Sequence, residues 1–125
     1  MMSELVPDDV RNFIIEHIDT VADLEALLLL RKNTKEPWTA QLVSKRLYVD
    51  EATATRVLSS LAVKGLCEKN NDVYRYQPRS DETRHLVDRL AEAYDLYLIP
   101  VTNFIHQKPS RIQHFADAFR IRKDK

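Results

Sequence analysis

The sequence predicts a mainly α-helical fold: a helix-turn-helix that runs directly into a two-stranded hairpin, with extra helices at the N- and C-terminal ends. Three observations predict it. The 125 residues hold one glycine, Gly65, too few for the turns of a sandwich or barrel or for a glycine-rich phosphate loop. Apolar residues recur at three- and four-residue spacing through both ends of the chain, as in helices that bury one face. Residues 38–79 change character twice, from helix to turn to helix, and then to short β-prone runs around Asn70-Asn71-Asp72.

The first helix is expected from about Pro7 to Ile18. Pro7 suits a first turn, and Asp8 and Asp9 favour the positive end of the helix dipole. Val10, Phe13, Ile14 and Ile18 share one face. Asp19-Thr20 reads as a cap for a second helix, Val21 to Lys32. Its apolar residues Val21, Leu24, Ala26, Leu27, Leu28 and Leu30 cover most of the circumference, which predicts a central helix buried on several sides.

Asn33 to Pro37 is a loop, and Trp38 is placed as a short strand that pairs with the later hairpin. Thr39 caps a third helix, Ala40 to Leu47, with Leu42, Val43 and Leu47 inward. Tyr48-Val49 makes the turn. Asp50 caps a fourth helix, Glu51 to Lys64, whose buried stripe is Ala54, Val57, Leu58 and Leu61. Gly65 fits the left-handed position that ends a helix. Leu66 to Lys69 and Val73 to Tyr76 form the strands, with Asn70-Asn71-Asp72 as turn. A helix-turn-helix followed by such a hairpin is the order of a winged helix-turn-helix, the hairpin being a two-stranded wing.

Ser80 or Asp81 then caps a long helix to about Gln107, kinked near Leu96 by Pro100. Its apolar stripe is Leu86, Leu90, Tyr94, Tyr97, Val101, Phe104 and Ile105. Lys108-Pro109-Ser110 breaks it. A last amphipathic helix is expected from Arg111 to about Arg122, burying Ile112, Phe115, Ala116 and Phe119. The chain is read as one domain, with a winged-helix core at about 20–79 and a helical extension at about 80–122.

Composition narrows the function. The chain is 44% hydrophobic and 30% charged, an ordinary globular balance. The longest apolar run, Leu27 to Leu30, is too short to span a bilayer, and the N-terminus lacks a signal-peptide pattern. A single cysteine, Cys67, allows no internal disulfide. These features predict a cytoplasmic protein. His17, His85, His106 and His114 form no i, i+4 pair with one another or with Cys67, so no metal and no cofactor is expected. No phosphate loop, nucleophile elbow or His-Glu-x-x-His helix occurs, so the chain is not expected to be an enzyme. Cys67 is expected half-buried on the first strand; a redox sensor there needs exposure and a lowered thiol pKa.

The net charge is zero, but charge is unevenly spread. Residues 1–50 and 80–107 are each net −3, whereas 51–79 are net +2 and 108–125 net +4. The basic surplus therefore lies on the fourth helix plus hairpin and on the C-terminal segment, the places where double-stranded DNA would be met. A DNA-reading helix presents short polar groups and a long donor to base edges. The fourth helix offers Thr53, Thr55, Arg56, Ser59 and Ser60. Gln41, Ser44 and Lys45 on the third helix are placed at the backbone. Lys69, Asn70, Asn71 and Arg75 are placed where a wing touches the minor groove or its phosphates. Arg120, Arg122 and Lys123 are candidates for added phosphate contacts. The other use of such a module is protein–protein interaction without DNA, which a near-neutral surface also suits.

The stripe from Leu86 to Ile105 has two readings: packing onto the chain's own first two helices, or pairing with a second copy. Tyr94, Tyr97, Phe104, Phe115 and Phe119 are more aromatic surface than one small domain easily hides, so these residues with Leu86, Leu90 and Val101 are expected to form a homodimer interface, since paired copies match palindromic sites.

The run Leu42-Val-Ser-Lys-Arg-Leu47, the turn, and Leu58-x-x-Leu61-x-x-x-Gly65-Leu66 with a hairpin ending Tyr74-x-Tyr76 resemble bacterial winged-helix regulators. The phrase Leu58-x-x-Leu61-x-x-x-Gly65-Leu66 with that hairpin is similar to the MarR-like group. The resemblance covers about residues 20–79. It implies that Glu51–Lys64 reads DNA, that the hairpin is the wing, that terminal helices build a dimer, and that the protein regulates transcription. The chain departs from that pattern in its short preceding helix and in a wing without a dense basic cluster.

Overall fold

The computed structural model describes residues 5–107. Five helices and one hairpin appear in the order α1 (Asp8–His17), α2 (Val21–Lys32), α3 (Ala40–Leu47), α4 (Glu51–Val63), β1 (Cys67–Asn70), β2 (Val73–Tyr76) and α5 (Asp81–Leu96). A further helix, α6, occupies 98–107. The fold is mainly helical, with an antiparallel hairpin directly after α4, a winged-helix-like arrangement.

α2 lies at the centre, touching α3, α4 and β2. Leu24, Ala26, Leu27 and Leu30 are fully buried, as the spread of apolar residues around the helix predicts. Its start is fixed by a reciprocal cap. The Thr20 hydroxyl accepts the Asp23 N–H, while the Asp23 carboxylate accepts the N–H groups of Asp19 and Thr20, both at 3.0 Å. These bonds let Asp23 sit buried at 2% exposure.

The helix-turn-helix is built by local signals. The Thr39 hydroxyl caps α3, and Asp50 caps α4 by accepting the Thr53 N–H at 2.7 Å. Ala54, Val57, Leu58 and Leu61 are buried along α4, the stripe expected from their spacing. Gly65 ends the helix at φ +76°, and a Cβ there would meet the Arg79 side chain at 3.0 Å. The Arg79 N–H in turn bonds the Gly65 carbonyl at 2.9 Å, so the chain leaving the hairpin closes back on the end of α4.

The hairpin pairs Cys67 with Tyr76, Glu68 with Arg75, Lys69 with Tyr74 and Asn70 with Val73. Asn71, with φ 59°, and Asp72 make the turn, matching the tolerance of Asn for left-handed backbone. Trp38 bridges Tyr74 on the other side, its carbonyl accepting the Tyr74 N–H at 2.7 Å. Trp38 is fully buried, with its indole N–H donating to the Asn33 carbonyl at 2.9 Å and the Arg46 guanidinium over its ring.

The C-terminal half differs from expectation. In place of one kinked helix there are two, separated at Tyr97, whose φ of −134° and ψ of 55° are not helical. Pro100 lies in the first turn of α6, where no N–H bond is asked of it; inside a continuous helix its ring would meet the Leu96 carbonyl. The Tyr97 carbonyl accepts the Val101 N–H at 3.0 Å, starting the new helix. α1 packs on α5, and the bidentate Arg89–Asp9 pair spans them at 2.6 and 3.1 Å. That pair is solvent-exposed and holds the Asp9 carboxyl below its ordinary value. No described helix is long and apolar enough to cross a membrane.

Candidate nucleic-acid interface

The outer face of α4 is bare. Thr55, Arg56, Ser59 and Val63 follow one another at one-, three- and four-residue spacing, and all are exposed. Val63, at the helix end, is 88% exposed. Thr53 and Ser60, also expected to face DNA, are half-buried beside the apolar stripe. The Asp50 carboxylate, held low in pKa first by its bond to Thr53, stands at the start of this helix as its cap.

On α3, Gln41 and Lys45 are exposed one turn apart. Ser44 is half-buried, and its hydroxyl donates back to the Gln41 carbonyl at 2.7 Å, so its hydrogen is already committed. In the hairpin Lys69, Asn70, Asn71 and Arg75 are all exposed. The Lys69 ammonium lies 5.8 Å from the Tyr74 ring centre, and Arg75 stands opposite Glu68 in the ladder. The tip therefore carries amides at Asn70 and Asn71, with one cation on each strand behind them.

The expected residues thus occupy three adjacent elements: α3, α4 and the hairpin. α3 packs on α4, and α4 packs on β1. What orders the surface is the fully buried side of the same helices. Lys64 adds a tie at the end of α4, its ammonium donating to the His17 carbonyl and to Asp19, both at 2.9 Å. Exposed residues of this region outside the set expected from sequence include Val63 and Tyr48, the latter 95% exposed in the turn between α3 and α4. The sequence placed Tyr48 in a turn, and its left-handed backbone, φ 58°, is seen only in the structure.

Three residues of the stripe expected to face a second copy are taken up inside the single chain. Leu90, Val101 and Phe104 are at most 1% exposed within the single chain, because α5 and α6 turn them into the core formed with α1 and α2. Leu86, Tyr94 and Tyr97 are half-buried, and the Tyr94 hydroxyl donates to Glu25 on α2 at 2.7 Å. The exposed apolar side chains of this region are Leu96, Leu98 and Ile99, at the junction of α5 and α6. Phe115, Phe119, His114 and the cations Arg120, Arg122 and Lys123, with the helix expected around them, lie outside the described residues.

Cys67 is deeper than expected, at 5% exposure, with its thiol directed to the Leu58 carbonyl at 3.8 Å. Burial pushes its pKa up to about 11, opposite to the shift a thiolate sensor needs. His17 is buried, stacked on Phe13 at 4.4 Å and bonded to the Phe13 carbonyl, while His85 and His106 are exposed. Among the described residues no group of three His, Cys, Asp or Glu side chains is placed to hold a metal ion. Comparison of the chain with family models, with characterised proteins and with solved structures gave no match.

Proposed function

We propose that this protein binds double-stranded DNA as a cytoplasmic transcriptional regulator, with α4 in the major groove and the β1–β2 hairpin as a wing on the flank. The observation that carries the reading is the bare face of α4. A helix anchored by four buried apolar residues leaves Thr55, Arg56 and Ser59 to solvent, beside a hairpin whose tip exposes Lys69, Asn70, Asn71 and Arg75. Arg56 has the length and donor fork to bond a guanine edge, and the hydroxyls suit bases or phosphates. Gln41 and Lys45 meet the backbone from α3. The resemblance to MarR-like regulators supports the same assignment.

A homodimer completes the proposal, since two reading helices related by a two-fold axis double the contacts on a palindromic site. Leu96, Leu98 and Ile99 supply exposed apolar surface for a second copy. The experiment is binding of the purified chain to duplex DNA from around its own gene across a range of salt. Saturable, sequence-dependent binding whose log affinity falls with log salt is expected, with the slope counting phosphate contacts. Flat or sequence-blind binding down to low salt would favour a second reading, a winged-helix protein-interaction module. The zero net charge and the same exposed apolar residues speak for that reading.

A further inference from the structure

A cleft separates the start of α2 from the turn that joins α3 to α4. Val21, Ala22 and Glu25 share one side of α2 and form one wall. Arg46, Leu47 and Val49, at the end of α3 and in the turn, form the other, with Tyr48 exposed beside them. The volume is about 410 Å³, within the range of small-molecule sites, roughly 300–1,000 Å³. Val21, Ala22, Leu47 and Val49 are half-buried, so both walls are aliphatic where they approach the core.

Two opposite charges line this cleft, and they do not pair with each other. The Arg46 guanidinium lies 5.4 Å from the Trp38 ring centre and has no carboxylate partner among the described residues. Trp38 is fully buried and its indole N–H is bonded to the Asn33 carbonyl at 2.9 Å, so the ring beneath the guanidinium is held in place. Arg46 is thus positioned by a ring without being neutralised by an acid, and its fork of donors is open to an anion. On the opposite wall, Glu25 uses one oxygen, Oε1, to accept the Tyr94 hydroxyl at 2.7 Å. A phenol donor leaves the carboxylate its charge, and Oε2 has no partner among the described residues.

We propose that this cleft binds a zwitterion with an aliphatic side chain, an α-amino acid such as leucine. Its carboxylate would meet Arg46, its ammonium Glu25, and its side chain the aliphatic walls. A simple anion would be repelled by Glu25 and a simple amine by Arg46, so only a ligand that carries both charges satisfies both walls. The turn that walls the cleft leads directly to Asp50, the cap of α4, so an occupant touches the segment from which α4 starts. The site stands apart from the DNA-binding reading, and its test uses no DNA.

The test titrates the full chain with leucine and follows its amide resonances by NMR. Saturable shifts are expected at the Ala22, Leu47 and Val49 amides and at the Trp38 indole N–H. Three analogues each lack one part: leucinamide the carboxylate, N-acetylleucine the ammonium, glycine the side chain. Each is expected to bind at least about tenfold more weakly than leucine. Arg46→Gln is expected to bind leucine and leucinamide equally weakly, and Glu25→Gln to bind leucine and N-acetylleucine equally weakly. A general loss of structure would not produce that crossed pattern. The analogue series on the unaltered chain needs neither variant, so it decides the matter even if one of them fails to fold. No saturable shifts with leucine, shifts confined to residues away from the cleft, or analogues that bind as tightly as leucine overturn the proposal.

Discussion

α2 and α4 are helices of nearly equal length, 12 and 13 residues, and they are used in opposite ways. α2 is apolar on several sides and packs against α3, α4 and β2. Its first turn is closed by a reciprocal cap that satisfies even a buried carboxylate. α4 buries one stripe and leaves the opposite face to solvent, polar at Thr55, Arg56 and Ser59. A helix spent on all sides can only support; a helix spent on one side has a face to offer. Substitutions on the two helices should therefore separate into effects on folding and effects on binding.

The largest separation is expected between Leu27 and Ser59. Leu27→Ala removes a fully buried side chain from α2 and should cost about 2–5 kcal/mol of stability. Ser59→Ala, on the exposed face of α4, should stay within about 0.5 kcal/mol of the parent. Chemical denaturation of the two variants reads both. Comparable losses would mean that the α4 face is packed against something, and the contrast would break.

Arg56→Ala sharpens the comparison from the binding side. It should leave the melting temperature alone and weaken specific DNA binding by about 1–3 kcal/mol, with relaxed preference at one base position. Unchanged affinity for the best site would remove Arg56 from the reading role. A fall in melting temperature of several degrees would place it among the structural residues instead.

Both helices were legible from local signals. Both ends of α2, the Thr39 and Asp50 caps, the Ala54–Val57–Leu58–Leu61 stripe, the left-handed Gly65 and the Trp38 bridge to the hairpin followed from local chemistry and periodicity. Such signals act within one or two turns, so one sequence carries them. Three features depended on distant parts of the chain and did not follow. The break falls at Tyr97, and α6 beyond it buries Val101, Phe104 and Ile105. Leu90, Val101 and Phe104 have the spacing of an interface stripe, and the same spacing serves a core. Cys67 is buried where α4 meets β1, its thiol directed to the Leu58 carbonyl. That the candidate residues fall on α3, α4 and the hairpin was legible, because the bounds of α4 followed from its cap and stripe. The commitment of the Ser44 hydroxyl and the partial burial of Thr53 and Ser60 were not.

Each helix also receives one contact that titrates in alkali. The Cys67 thiol faces the α4 carbonyl of Leu58, and the Tyr94 hydroxyl donates to Glu25 on α2. Burial raises the thiol to about 11; burial and then the Glu25 bond raise the phenol to about 12. Both folded-state values lie above the ordinary ones of 9.0 and 10.0, so folding favours the protonated forms. Their contribution is complete below pH 9 and is lost as pH rises towards 12. Melting temperature against pH should fall across that window. Cys67→Ala should remove the earlier part of the fall and Tyr94→Phe the later part. An unaltered alkaline profile in both variants would show that neither contact is coupled to folding.

The smallest effect is expected where the hairpin meets the core. Tyr76 pairs with Cys67 in the ladder, is 8% exposed, and carries the Arg84 guanidinium 5.5 Å from its ring centre. Its hydroxyl is buried and has no hydrogen-bond partner among the described residues. Burial, ahead of the nearby Asp88 carboxylate, pushes its pKa up. Tyr76→Phe deletes the orphaned hydroxyl and keeps both the ring packing and the cation over its face. A buried polar group without a partner forfeits its hydration, so the variant should be neutral or more stable by up to about 1 kcal/mol. Denaturant unfolding measures the sign. A loss of stability of that size would mean that an ordered water bridges the hydroxyl to its charged neighbours, and that the back of the wing is held by a polar network. A gain would mean that packing alone joins the hairpin to α2. The wing would then share the apolar support that buries α2, and only its tip would share the openness of α4.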